Sequence, residues 1–95
     1  MNLGIKGKKV VITGASQGIG LEIAEQFSLE GASVTIISSN EKKLNRAFKT
    51  INKKSKKIKH FKILADLTND YKLSVAIEKI LKNSIPDIII HNIGG

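Results

Sequence analysis

The apolar positions change their period repeatedly along the chain, and each change marks an element. Lys8 to Thr13 reads Lys-Lys-Val-Val-Ile-Thr, a β-branched run stopped by Gly14, and predicts a buried strand. From Ile19 to Glu30 the apolar residues Ile19, Ile23, Ala24 and Phe27 recur at helical spacing, with Gly31 as the stop. Ser33 to Ser38 is a second β-branched run. Glu41 to Asn52 predicts a helix whose inner stripe is Leu44, Ala47, Phe48 and Ile51. Ile58 to Ala65 alternates like a strand, and Asn69 to Asn83 carries Leu73, Ala76, Ile77, Ile80 and Leu81 at helical positions. Pro86 then breaks the chain, and Asp87 to His91 forms a last strand.

The resulting order is βαβαβαβ. Alternation of this kind dictates a parallel sheet with right-handed crossovers. The run Ile88-Ile89-Ile90 lacks polar alternation, as expected where both faces of a sheet are covered. We expect one domain over residues 1–95, the first half of a doubly wound α/β fold with strand order 3-2-1-4. A length of 95 residues and a hydrophobic fraction of 41% suit one small domain with a real core.

Composition narrows the chemistry. The absence of cysteine excludes disulfides and a cysteine-based zinc site, and it fits a reducing compartment. No apolar run is long enough to span a membrane, and the basic stretch from Met1 to Lys9 lacks the apolar core of a secretory signal. The expected location is cytoplasmic. The formal charge is +8, but nearly all of it is lysine, with Arg46 the lone arginine. Specific readers of nucleic acid lean on arginine for bidentate base contacts. The charge is therefore put down first to a Lys/Ile/Asn-rich composition.

The strongest signal lies at the first strand-to-helix turn, Thr13-Gly14-Ala15-Ser16-Gln17-Gly18-Ile19-Gly20. Gly14 permits a tight exit from the strand, Gly18 lets backbone approach a pyrophosphate, and Gly20 lets the helix sit close to the sheet. A helix starting here aims free N–H groups and its positive dipole end at phosphate. The last glycine is followed by Leu21-Glu22 rather than Lys-Ser/Thr, so this is not the phosphate loop of NTPases.

Thr-Gly-x-x-x-Gly-Ile-Gly after a first strand resembles the cofactor loop of the short-chain dehydrogenases/reductases, which have a Rossmann-type sheet. Asp66-Leu67 at the end of the third strand resembles the family's acidic adenine-binding motif. Pro86 to Gly94 resembles its Asn-Asn-Ala-Gly segment, with His91 in place of the first Asn and Ile93 in place of Ala. The resemblance implies that Gly14, Ser16, Gln17, Gly18, Ile19 and Gly20 line the pyrophosphate and adenosine ribose. It implies that Asp66 accepts from the adenine amino group, with the Leu67 backbone beside it. Asn92 would brace the central strands while the backbone through Gly94 passes the ribose. Apart from the resemblance, Asp66 also reads as a turn carboxylate ahead of Thr68. His91 reads as a structural hydrogen-bonding residue.

An acid at the end of the second strand would bind the ribose hydroxyls of NAD and repel the 2′-phosphate of NADP. Here the chain has Ser38-Ser39-Asn40 and no carboxylate before Glu41. Hydroxyls of Ser38 and Ser39, with Lys42 or Lys43, suit a phosphate, so NADP is preferred over NAD. The family's catalytic Ser and Tyr-x-x-x-Lys are absent: Tyr71 is the lone tyrosine, and Val75 stands where the Lys would be. No catalytic residue is assigned. The implied activity, in a complete enzyme, is hydride transfer between a nicotinamide and a carbonyl or alcohol. A non-catalytic dinucleotide-binding module or a non-functional fragment is the alternative. A nucleic-acid-binding protein built on the run from Lys53 to Lys62 is the remote one, since a solvated basic loop explains that run and no aromatic platform accompanies it. Substrate binding is expected only in a complete enzyme. The last strand has no later partner in this sequence, so self-association through its exposed edge is expected.

Overall fold

The computed structural model describes residues 4–66, 68–69, 71, 74–75, 77–79 and 85–92. The elements are β1 (Lys9–Thr13), α1 (Gly18–Leu29), β2 (Ser33–Ser38), α2 (Glu41–Lys54), β3 (Phe61–Leu64) and β4 (Ile88–His91). All strand pairs are parallel, and the order across the sheet is β3-β2-β1-β4, as expected from the alternation. Within the expected helix from Asn69 to Asn83, residues 71, 74–75 and 77–79 are helical. The positions of Leu73, Ala76, Ile80 and Leu81 lie outside the described residues.

The core forms where α1 and α2 cover one face of β1 and β2. Val10 and Ile12 of β1 and Val34 and Ile36 of β2 meet Ala24 of α1 and Leu44, Ala47 and Ile51 of α2. Val11 and Ile37 point to the other face and are buried as well. Burial on both faces is what removes polar alternation from these two strands. A fully buried isoleucine or valine contributes on the order of 1.5–3 kcal/mol, so the central pair β1 and β2 carries much of the stability. The ends of the sheet are tied by side chains. Asp87 Oδ2 accepts from Lys9 N at 2.8 Å, and the Asp87 N–H donates to the Lys9 carbonyl at 2.8 Å, fixing where β4 starts beside β1.

Some expectations shift. Ile19 is 70% exposed and does not face the core; α1 instead turns Gly20, Ala24 and Ser28 inward, with Ile23 and Phe27 packed at the flanks. Small residues win that face because the helix lies close to the glycine turn. The Ser28 hydroxyl is satisfied there by donating to the Glu25 carbonyl at 2.7 Å. Strand β3 begins at Phe61 rather than Ile58, because His60 turns inward and its Nδ1 accepts from Val34 N at 3.0 Å. Helix α2 runs to Lys54, beyond Asn52, and Asn40 caps it, its Oδ1 accepting from Lys43 N at 3.0 Å. Among the described residues no helix is long and apolar enough to cross a membrane.

Candidate cofactor-binding site

The three glycines of the turn do different physical work. Gly14 has φ +66° and donates its N–H to the Ile37 carbonyl at 2.9 Å; a Cβ there would lie 2.5 Å from the Asn92 carbonyl oxygen. Gly20 has ordinary helical geometry, but a Cβ would collide with the Gly14 carbonyl and lie 2.7 Å from Asn92 Nδ2. Gly18 opens α1 with φ +60° and faces free space: no atom lies within 4 Å of where its Cβ would be. Gly14 and Gly20 are thus required by the protein's own packing, whereas the space at Gly18 is left open.

The amino end of α1 is bare. Gln17 occupies the N-cap position without a side-chain cap bond, and no acidic residue stands in the first turn. Helices normally satisfy these leading N–H groups with Ser, Thr, Asp or Asn. An uncapped positive end at the carboxyl edge of a parallel sheet is a ready anion site.

The flanking strands lock the turn in place. Asn92 Nδ2 donates to the Gly14 carbonyl at 3.0 Å, and the Asn92 N–H donates to Thr13 Oγ1 at 3.1 Å. The same Thr13 hydroxyl hydrogen-bonds His91 Nδ1 at 3.0 Å, so His91 has the structural bond expected of it. On the other side, Ser38 Oγ donates to Ser16 Oγ at 3.0 Å and accepts from Asn40 N at 3.2 Å. Ser38 is buried and its hydroxyl is engaged within the protein, whereas Ser39 is exposed. The linking role of Thr13 was not read from the sequence. Its only signal was a hydroxyl closing an otherwise apolar strand.

Beyond β2, Ser39, Ile63, Leu64, Asp66, Tyr71 and Val75 line a groove of about 640 Å³. Asp66 Oδ1 accepts from Thr68 N at 2.9 Å and from Thr68 Oγ1 at 2.6 Å, so the turn-carboxylate role is present in this structure. Leu67, Ile93 and Gly94 lie outside the described residues. Tyr71 is exposed on the groove. Among the described residues no cluster of His, Cys, Asp or Glu gathers to hold a metal ion.

Parallel order β3-β2-β1-β4, with a glycine turn and a bare helix end at the carboxyl edge, defines a doubly wound α/β protein of the Rossmann type. More narrowly, the chain belongs to the short chain dehydrogenase family, whose sequence profile matches residues 8–95. It is 43% identical over 89 residues to the 17-beta-hydroxysteroid dehydrogenase type 3 of Danio rerio, covering 93% of this chain and 28% of that protein. It is 36% identical over 95 residues to the 7alpha-hydroxysteroid dehydrogenase of Escherichia coli K12, covering 99% of this chain and 36% of that one. Among solved structures, L-sorbose reductase from Gluconobacter frateurii, complexed with NADPH and L-sorbose, superposes with a TM-score of 0.90 at 31% identity, covering 100% of this chain and 36% of that one. The chain therefore spans about a third of the length of such relatives.

Proposed function

We propose that this chain is the dinucleotide-binding part of a short-chain oxidoreductase, with the diphosphate seated on the amino end of α1. The observation that carries the reading is the uncapped end of α1 with open space at Gly18. Backbone of Gly14, Ser16, Gln17, Gly18, Ile19 and Gly20 would hold the diphosphate and adenosine ribose. Ser39 and Asp66, on one groove, would meet the adenine end, with Leu67 beside them. Asn92 acts from behind by holding Gly14, and the segment through Gly94 would pass the ribose. When bound, the nicotinamide supplies hydride for a carbonyl or accepts it from an alcohol.

NADP is the preferred cofactor. No carboxylate stands at the end of β2 to repel a 2′-phosphate, and Ser39 with Lys42 or Lys43 supplies donors for one. L-sorbose reductase, a similar protein, is complexed with NADPH, in keeping with this choice. A non-catalytic binding module uses the same residues. It is kept as a second reading because a human relative, 32% identical over 88 residues, is called an inactive hydroxysteroid dehydrogenase-like protein. We place the protein in the cytoplasm, on the fit of a cysteine-free chain with a reducing compartment.

Titration with NADPH and NADH, followed by nucleotide fluorescence, tests the cofactor reading. Saturable binding with NADPH the tighter is expected. A chain that melts cooperatively yet binds neither nucleotide would overturn it. Hydride transfer from NADPH by the protein extended to its relatives' length then separates enzyme from module.

A further inference from the structure

The positive charge of this protein is regional. Residues 41–62 hold ten basic residues and a single acid, whereas the rest of the chain holds six basic residues and seven acids. The whole excess of +8 thus resides on α2, the loop after it and the start of β3. A coding bias alone would spread lysine evenly.

Within α2 the cations form a line. Lys42, Arg46, Lys49 and Lys53 follow one another at spacings of four, three and four, and all are exposed. At 100° per residue they fall within roughly 60° of arc, directly opposite the buried Leu44, Ala47 and Ile51, and run for about 16 Å along the axis. Neighbours on this line repel one another at i,i+3 and i,i+4. Lys54, off the line, pairs with Glu25 at 2.9 Å; among the described residues no ion pair neutralises the line itself. Lys56 and Lys57 continue it past the helix end, both exposed. At the far side of the same loop Lys59 lies 5.5 Å from the centroid of Phe61, a half-exposed ring.

We propose that the solvent ridge of α2 and the loop after it bind a linear polyanion, the sugar–phosphate backbone of a nucleic acid, without sequence preference. A row of point charges matches a row of phosphates. About 16 Å of ridge parallels about five phosphates of one duplex strand, at about 3.4 Å of rise each. Lysine, a compact charge without bidentate geometry, suits phosphate contact rather than base reading. A bilayer is the poorer match, because the ridge itself carries no apolar side chain to enter the acyl boundary.

The test is fluorescence anisotropy of a short labelled duplex with the full chain across a salt series. Four phosphate contacts give a log-log slope of about −3.6, which is roughly 150-fold weaker binding at 200 mM than at 50 mM salt. The triple variant Arg46→Gln/Lys49→Gln/Lys53→Gln should flatten the slope by about 2.7. Lys42 is spared because the cofactor reading uses it. Glutamine keeps helix propensity, and unchanged far-UV circular dichroism verifies the fold. The variant Lys6→Gln/Lys8→Gln/Lys9→Gln, with the same loss of net charge off the ridge, should keep the parent slope. The proposal is overturned if the duplex fails to bind at low salt, or if both triple variants lose affinity equally. It is also overturned if phosphatidylserine vesicles capture the chain while nucleic acid does not.

Discussion

Gly20 lacks a side chain because other groups occupy its place. A methyl there meets the Gly14 carbonyl and the Asn92 amide, both held by the bond between them. Gly20→Ala should cost about 1–3 kcal/mol, the range for overpacking, read as a lower urea midpoint. Gly18→Ala meets open space and bears only the left-handed backbone cost of about 1–2 kcal/mol. That variant should lose nucleotide affinity beyond its loss of stability. His60 illustrates a residue whose role no motif announces. Its Nδ1 accepts from Val34 N, so the proton sits on Nε2, which is buried without a partner of hydrogen-bond geometry. Burial pushes its pKa below 6.5, and the Ser55 backbone opposes this only in part. The unfolded chain therefore takes up the proton first as pH falls. Stability from neutral His60 is fully present above about pH 7 and declines as pH drops through about 6.5. Urea midpoints measured from pH 8 to pH 5 should show this decline, and His60→Gln should reduce it.

At the scale of elements, α2 is the segment whose cap, terminal charges and apolar stripe all agree. Asn40 caps it, Glu41 and then Lys53 and Lys54 complement its dipole ends, and a clean apolar stripe faces the sheet. Asn40→Ala removes the acceptor for Lys43 N and should cost about 1 kcal/mol, visible as a lower melting temperature. Helix α1 was legible as a helix, but the face it buries was not. Close approach to the glycine turn gives that face to Gly20, Ala24 and Ser28, and Ile19, apolar at helical spacing, is exposed. Strand β3 was read too long, because a histidine that bonds a neighbouring strand's N–H looks like any polar residue in an alternating run.

Across the whole molecule, the two edges of the sheet differ. Strand β3 packs against α2, while among the described residues β4 pairs with β1 alone and leaves Ile89 53% exposed. An apolar edge strand with an open row of backbone groups invites pairing with another copy. This chain should therefore self-associate with rising concentration in analytical ultracentrifugation, and Ile89→Lys should shift it toward monomer. A concentration-independent monomer would remove that expectation.

The sequence by itself determined the element order, the parallel sheet and the position of the glycine turn. Those follow from periodicity and from backbone conformations open chiefly to glycine, and both are local properties. The tertiary structure decided which groups meet across the sheet: Asn92 on Gly14, Ser38 on Ser16, His60 on Val34. It also decided that Ser38 is engaged inside while Ser39 faces out. These contacts join residues far apart in the chain, and hydrogen bonding and burial depend on distance in space, which no local pattern encodes.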